Sequence, residues 1–126
     1  EPGLVKLAVA RRTDKDIYAM EQCIIDVYKS IENGSPDQTK AIGFHRLIAD
    51  ACHNRFISSL MEAIVEVFQQ VLDKSPDIET AKKDLEYNRL FLKYIKEKNG
   101  KKAESVMADH FDTLDEMIRK KNEKIM

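Results

Sequence analysis

The sequence predicts an all-α protein of a single domain, built as an antiparallel bundle of about six helices. Apolar residues recur at the spacing of amphipathic helices throughout the chain, and no segment shows the sustained alternation that is typical of a strand. With only 4 glycines and 3 prolines among 126 residues, long uninterrupted elements are favoured over a turn-rich β sandwich. Recurrent capping sequences separate the periodic segments into six helices.

Composition excludes several classes of protein. Charged residues make up 34% and hydrophobic residues 43%, a balance typical of a globular domain rather than of a disordered or membrane protein. The net charge of −1 disfavours direct nucleic-acid binding, which needs a basic excess. Cys23 and Cys52 fall inside helical patterns, so we expect free thiols and a cytoplasmic location. Because the first residue is Glu1 rather than Met, we expect a piece of a longer protein.

The first two helices are marked by a proline and by a capping sequence. Pro2 suits a first helical turn, and an apolar face follows up to Arg11. Thr13 is a typical N-cap for the second helix, and Asn33-Gly34 predicts a left-handed end. The predicted core stripe of the second helix consists of Ile17, Met20, Ile24, Val27, Tyr28 and Ile31.

The third and fourth helices follow a Ser-Pro-Asp sequence. Ser35 is the predicted cap of the third helix, and Pro36 its first residue. The fourth helix is predicted from about Arg55 to Leu72, after a frayed junction at His53-Asn54, where His53 is expected to be solvated or capping. The third helix carries Ala41, Phe44, His45, Ile48 and Ala51 on one face. The fourth carries a broad apolar face of Leu60, Met61, Ile64, Val67, Phe68 and Val71.

The last two helices repeat the same kinds of start and end. Ser75-Pro76-Asp77 predicts the start of the fifth helix, and Asn99-Gly100 predicts its end. The stripe of the fifth helix is Ile78, Ala81, Leu85, Asn88, Leu92 and Ile95, and that of the sixth is Ala103, Val106, Met107, His110, Leu114, Met117 and Ile118.

Three polar residues interrupt the apolar stripes of three different helices. His45, Asn88 and His110 each lie near the middle of their helix. A buried imidazole or amide without a partner costs about 1–3 kcal/mol, so these groups need one another, water, a metal or a bound ligand. The interior of the bundle is therefore a candidate pocket. The alternative, that each is a satisfied core residue, stays open.

No motif in the sequence indicates catalysis. A phosphate-binding glycine loop, a nucleophile elbow, a closely spaced Cys/His zinc pattern and a paired-acid motif are all missing from the 126 residues. We therefore expect a protein that is not an enzyme.

Three segments, in the correct order, resemble FCD domains, the effector-binding C-terminal halves of FadR-type regulators in the GntR family. The segment from Phe44 to Asn54 is similar to the family pattern "FH..ia.a..N". The other two matches are Glu1-Pro2, Leu7-Ala8 and Arg11-Arg12-Thr13 in the first helix, and Ala103, Met107 and His110-Phe111 in the last. The resemblance implies one FCD-like ligand-binding and dimerisation domain over residues 1–126.

The resemblance also implies a metal site. Many FCD domains bind a divalent metal through one Asp and three His, which here correspond to Ala41 and to His45, Asn88 and His110. Alanine cannot coordinate, and an amide oxygen is a poor ligand for Zn²⁺ or Ni²⁺. A weak divalent site on His45, Asn88 and His110 is left open, and a metal-free organic-ligand pocket is the preferred interpretation.

The resemblance implies that the domain senses a small effector molecule. A small, carboxylate-bearing effector would bind in the core, with His45, Asn88 and His110 hydrogen-bonding its head group and Arg12 or Arg55 adding charge. The resemblance implies a homodimer, no membrane partner, and contact with DNA only through the winged helix-turn-helix domain that normally precedes an FCD domain. No such segment is among these residues. The alternative is a structural dimerisation bundle with a vestigial pocket.

Overall fold

Six α-helices make up the described part of the chain. The computed structural model describes residues 2–71 and 77–125, and no strand occurs in these ranges, which confirms the predicted fold class. In chain order the helices are α1 (Pro2–Arg11), α2 (Asp14–Glu32), α3 (Gln38–Asp50), α4 (Arg55–Val71), α5 (Ile78–Lys96) and α6 (Gly100–Ile125). Among the described helices, none has both the length and the apolar character that a membrane span needs.

Carboxylates and hydroxyls cap the helix starts. Thr13 and Asp16 form a capping box at α2: the Thr13 hydroxyl accepts from the Asp16 N–H, and the Asp16 carboxylate accepts from the Thr13 N–H. The predicted start of α3 at Ser35-Pro36 is wrong, because the cap is Asp37, whose Oδ1 accepts from Thr39 N and Lys40 N at 3.0 and 3.4 Å. Asp77 caps α5 in the same way, and the predicted Ser75-Pro76 start lies outside the described residues.

Left-handed residues end three helices. Gly34, with φ of 75°, follows α2 as predicted. After α5 the left-handed residue is Lys98, with φ of 56°, and Asn99 caps α6 by accepting from Lys102 N at 3.2 Å. The prediction that Asn99-Gly100 closes α5 is therefore wrong, because an asparagine carbonyl serves a following helix as readily as a preceding one. At the α3–α4 junction His53 has φ of 53° and is exposed.

Helix α3 is central and contacts α1, α2, α4 and α5. The main core gathers buried side chains from all helices except α4, among them Val5, Met20, Phe44, Ile48, Phe91, Ile95 and Met107. Cys23 and Cys52 are both free thiols. This packing holds the middle of α3 beside the middles of α5 and α6.

Helix α4 lies at the edge of the bundle and packs chiefly against α3. Met61 and Val65 are buried, but 46% of Leu60, 56% of Val67 and 75% of Phe56 is exposed. Leu60 and Val67, which the sequence places on the broad apolar face of this helix, lie outside the core, because α3 is the main neighbour of α4 in the described part of the chain. The end predicted at Leu72 and the side chains of Val71, Leu114, Met117 and Ile118 lie outside the described residues. Tyr28, also predicted in a core stripe, is 44% exposed.

The guanidinium of Arg12 stabilises the end of α5. Its Nε donates to the Ile95 carbonyl at 3.3 Å and its Nη2 to the Lys96 carbonyl at 2.9 Å. We expect Arg12→Ala to lower the free energy of unfolding by about 1.5–3 kcal/mol, the usual worth of hydrogen bonds from a charged group. Urea unfolding followed by circular dichroism measures the loss. Lys15→Ala, at an exposed site, is the control, and an equal loss there contradicts the assignment.

Candidate functional site

A small cavity lies between the first two turns of α3, the last turn of α4 and the middles of α5 and α6. Its volume is about 20 Å³, measured as the space open to the centre of a water molecule. That is room for about one water molecule or one ion, which needs at least roughly 10–15 Å³ by this measure. The cavity is lined by Gln38, Ala41, Ile42, His45, Phe68, Asp84, Asn88 and His110.

The two histidines on these helices contact each other directly. Nε2 of His45 lies 3.2 Å from Nε2 of His110, and the rings are nearly parallel, with an interplanar angle of 6°. A hydrogen bond between two imidazole nitrogens requires one ring to donate and the other to accept. The pair is therefore set up to hold one proton between two neutral rings.

Aromatic rings surround the histidine pair. Phe91 is fully buried and presents its ring roughly perpendicular to both imidazoles, at centroid distances of 5.9 Å from His45 and 5.8 Å from His110. Tyr87 lies 4.7 Å from the His110 ring and donates its hydroxyl to Asp109 at 2.9 Å. The aromatic contacts hold both imidazole rings in place.

Burial keeps both histidines neutral. It lowers the pKa of His45 to about 3, with repulsion from His110 acting in the same direction. Burial also lowers the pKa of His110 to about 4, although the charge of Asp109 opposes the shift. Near neutral pH each ring therefore offers one donor and one acceptor and carries no charge.

Asn88 and Ala41 are also brought to this cavity. The Asn88 side chain is buried, and its Nδ2 donates to the carbonyl of Ala41 at 3.4 Å. The two positions that correspond to the missing metal ligands thus contact each other. The Asn88 side-chain oxygen can accept a hydrogen bond from a ligand.

The sequence reasoning missed Gln38 and Asp84. Both are buried, and Gln38 Nε2 donates to Asp84 Oδ2 at 3.4 Å. Burial raises the pKa of Asp84, while the hydrogen bond from Gln38 opposes that shift. Asp84 precedes Asn88 by one helical turn, so its place on the same face of α5 could have identified it.

The two arginines predicted to add charge lie elsewhere. Among the described residues that line the cavity, neither Arg12 nor Arg55 is present. Arg12 instead holds the end of α5, and Arg55 is an exposed residue at the start of α4. Within the described part of the chain, the polar surface of the cavity comes from His45, Asn88, His110, Gln38 and Asp84.

The donors do not fit a complete metal site. A structural Zn²⁺ site takes four ligands, and a catalytic one three ligands and a water. Within residues 2–71 and 77–125, no group of three or more His, Cys, Asp or Glu side chains could hold a metal ion. The histidine pair supplies two nitrogens, Ala41 supplies no side-chain donor, and the Asn88 amide is directed to a backbone carbonyl.

Polar side chains that meet between the central helices of a bundle occupy the place where helical domains commonly bind ligands. The chain belongs to the FCD domain family, whose model matches residues 1–113. The resemblance found in the sequence is thereby confirmed.

The relatives are bacterial transcriptional regulators. The chain is 27% identical over 114 residues to the uncharacterized HTH-type transcriptional regulator YdhC of Bacillus subtilis, covering 86% of this chain and 50% of that protein. It is 21% identical over 124 residues to the HTH-type transcriptional regulator LutR of the same organism, covering 94% and 57%.

A solved structure shows the same fold. Streptococcus agalactiae GntR superimposes with a TM-score of 0.74 and 25% identity, over 90% of this chain and 52% of that one. The chain thus spans about half the length of each of these relatives.

Proposed function

We propose that this chain is the effector-sensing and dimerisation domain of a GntR-family transcriptional regulator of the FadR subfamily. A small molecule bearing a carboxylate binds in the cavity of the bundle and changes DNA binding by a separate domain. The observation that carries this proposal is the polar cavity between α3, α5 and α6, where two neutral imidazoles meet inside an FCD-family fold. The role is regulatory rather than enzymatic, in the cytoplasm, where transcription takes place in bacteria.

The chemistry of the cavity suits a carboxylate whose binding is coupled to protonation of a histidine. Neutral imidazoles and the amide of Asn88 provide hydrogen bonds, and an anion beside the histidines favours their protonated form. Binding therefore takes up a proton, and the affinity rises as the pH falls. Asp84 is the one acidic side chain that lines the described cavity, and its negative form opposes a carboxylate ligand.

The size of the cavity supports a mechanism based on two states. A volume of about 20 Å³ holds a water molecule but not an organic acid, so a ligand must stabilise a more open arrangement. Because it binds that arrangement better, it shifts the equilibrium between the two. Phe68 is the side chain from the edge helix α4 that lines the cavity, so displacement of α4 is the least costly way to open it.

A thermal-shift screen of small carboxylic acids, Zn²⁺ and Ni²⁺ tests the proposal. An acid at about 100 times its dissociation constant stabilises the fold by about 2.7 kcal/mol, a rise in Tm of several degrees. His45→Gln should weaken the acid at least tenfold, Asp84→Asn should strengthen it, and His53→Gln, the same change at the exposed histidine, should leave it unchanged.

Two other results contradict the carboxylate proposal. A response to Zn²⁺ or Ni²⁺ alone, reversed by a chelator and weakened by Asp84→Asn, indicates a divalent-metal site. No response to any acid or metal favours the second candidate, a structural dimerisation bundle with a vestigial pocket. The small cavity and the direct contact between the two histidines are the observations in favour of that candidate.

A further inference from the structure

Helix α4 carries an apolar stripe that the bundle does not cover. Phe56, Leu60, Ala63 and Val67 lie on one outward face, and all four are exposed, with Phe56 at 75%. We define these four residues as the α4 stripe. The opposite side of the helix packs against α3 through Met61 and Val65, so the stripe is separate from the core contact.

The spacing between members of the α4 stripe is the same from the N-terminal end of the helix as from the C-terminal end. Successive members are separated by 4, 3 and 4 residues, so an antiparallel copy of the helix presents the same pattern. About a two-fold axis, Phe56 of one chain faces Val67 of the other, and Leu60 faces Ala63. Contacts related by a two-fold axis are self-complementary in this way, and each large side chain meets a smaller one.

Charges beside the stripe complement each other in the same arrangement. Arg55 precedes Phe56 by one residue and Glu66 precedes Val67 by one, so both lie on the same flank of the helix. In the antiparallel pair that flank of one chain runs beside the same flank of the other, which brings Arg55 next to Glu66 twice. In the described part of the chain neither side chain has an ion-pair partner, whereas the neighbouring Glu62 is paired with Arg46 at 2.7 Å.

We infer that the α4 stripe is the homodimer interface, formed by antiparallel pairing of α4 with α4 of a second copy. The inference rests on the dimerisation half of the proposed function and specifies its surface. A helix of 17 residues is about 25 Å long at 1.5 Å per residue. One such helix pair covers less than the roughly 800 Å² per partner of a standard interface, so the dimer is reversible.

The interface and the cavity share this helix. Phe68 lines the cavity, and its neighbour Val67 belongs to the stripe. A ligand that displaces α4 therefore acts on the pairing of two chains.

Sedimentation equilibrium of the purified 126-residue chain, over a wide concentration range, tests the inference. The wild type should show a monomer–dimer equilibrium. Leu60→Glu should weaken it at least 100-fold, because in the pair the two copies of residue 60 lie close to the two-fold axis and their charges repel. Ile25→Glu is the matched control on α2, since Ile25 is 42% exposed and Leu60 46%, and it should leave the equilibrium unchanged. Circular dichroism verifies that each variant is folded.

A charge reversal tests the direction of the pairing. Arg55→Glu and Glu66→Arg should each weaken the dimer about 3- to 10-fold, and the double variant should recover most of the loss. A chain that stays monomeric, a dimer insensitive to Leu60→Glu, equal loss with Ile25→Glu, or no recovery in the double variant overturns the inference. An acid can stabilise the chain in the thermal-shift screen whether or not the chain dimerises, so the effector-binding part of the proposed function and this inference fail separately.

Discussion

Acidification from pH 7 to pH 5 should destabilise the protein by about 2 kcal/mol for each of the two imidazoles in the cavity. In the folded chain the pKa is about 3 for His45 and about 4 for His110, whereas an unfolded histidine has a pKa of about 6.5. Below pH 6.5 the unfolded state therefore binds more protons. Stability falls as the pH falls, by about 1.4 kcal/mol per unit for each imidazole, until the folded pKa is reached.

Urea unfolding at a series of pH values measures this dependence. The double variant His45→Leu/His110→Leu should lose most of it, since replacing both partners of a buried hydrogen bond by apolar groups is tolerated better than replacing one. Asp84 acts in the opposite direction, because burial raises its pKa and its neutral form favours the folded state at low pH. Asp84→Asn should therefore steepen the loss. An unchanged dependence in the double histidine variant contradicts burial of neutral imidazoles.

Phe91→Ala should lower the free energy of unfolding by about 3–5 kcal/mol. Phe91 is fully buried in the main core and its ring contacts both imidazoles. Its removal leaves a cavity and also takes away the ring that packs against both imidazoles. Phe91→Leu, which keeps most of the volume, should cost less than about 1.5 kcal/mol.

The adjacent residue provides the control for this prediction. Leu90→Ala on the same helix, where Leu90 is 36% exposed, should cost less than about 1 kcal/mol. Denaturant titration of the three variants compares them directly. A loss for Phe91→Ala no larger than that for Leu90→Ala contradicts the central position given to this ring.

The sequence predicted the helices well because their signals are local. Thr13 caps α2 and Gly34 follows it, both through groups within a few residues of the helix ends. Where two local signals compete, the prediction failed. Ser35 and Asp37 can both cap a helix. In the structure Asp37 is the cap of α3, because its carboxylate accepts from two backbone N–H groups.

Whether an apolar face is covered depends on distant parts of the chain. Leu60 and Val67 have the helical spacing of core residues, but α3 is the main neighbour of α4. The same limit applies to the arginines, since nothing near Arg12 in sequence indicates that the carbonyls of Ile95 and Lys96 accept from it.

The part of the candidate site that helical periodicity predicts is the set of polar residues on the apolar stripes. Polar residues that interrupt three apolar stripes had to find partners, and the fold brings His45, Asn88 and His110 to one cavity. Asp84 could have been found from its place one turn before Asn88, whereas Gln38 is identified only by its hydrogen bond to Asp84, 46 residues away in the chain. The cavity volume and the direct His45–His110 contact come only from the packing of α3 against α5 and of α5 against α6.

Histidine NMR during titration with the strongest acid from the thermal-shift screen tests the central claim most directly. The chain has 3 histidines, and the exposed His53 serves as an internal reference for the two in the cavity. We predict saturable shifts of the ring nitrogens of His45 and His110 and a rise in their pKa, with His53 unchanged. Saturable binding that leaves the rings of His45 and His110 unperturbed would contradict the assignment of this cavity as the effector site.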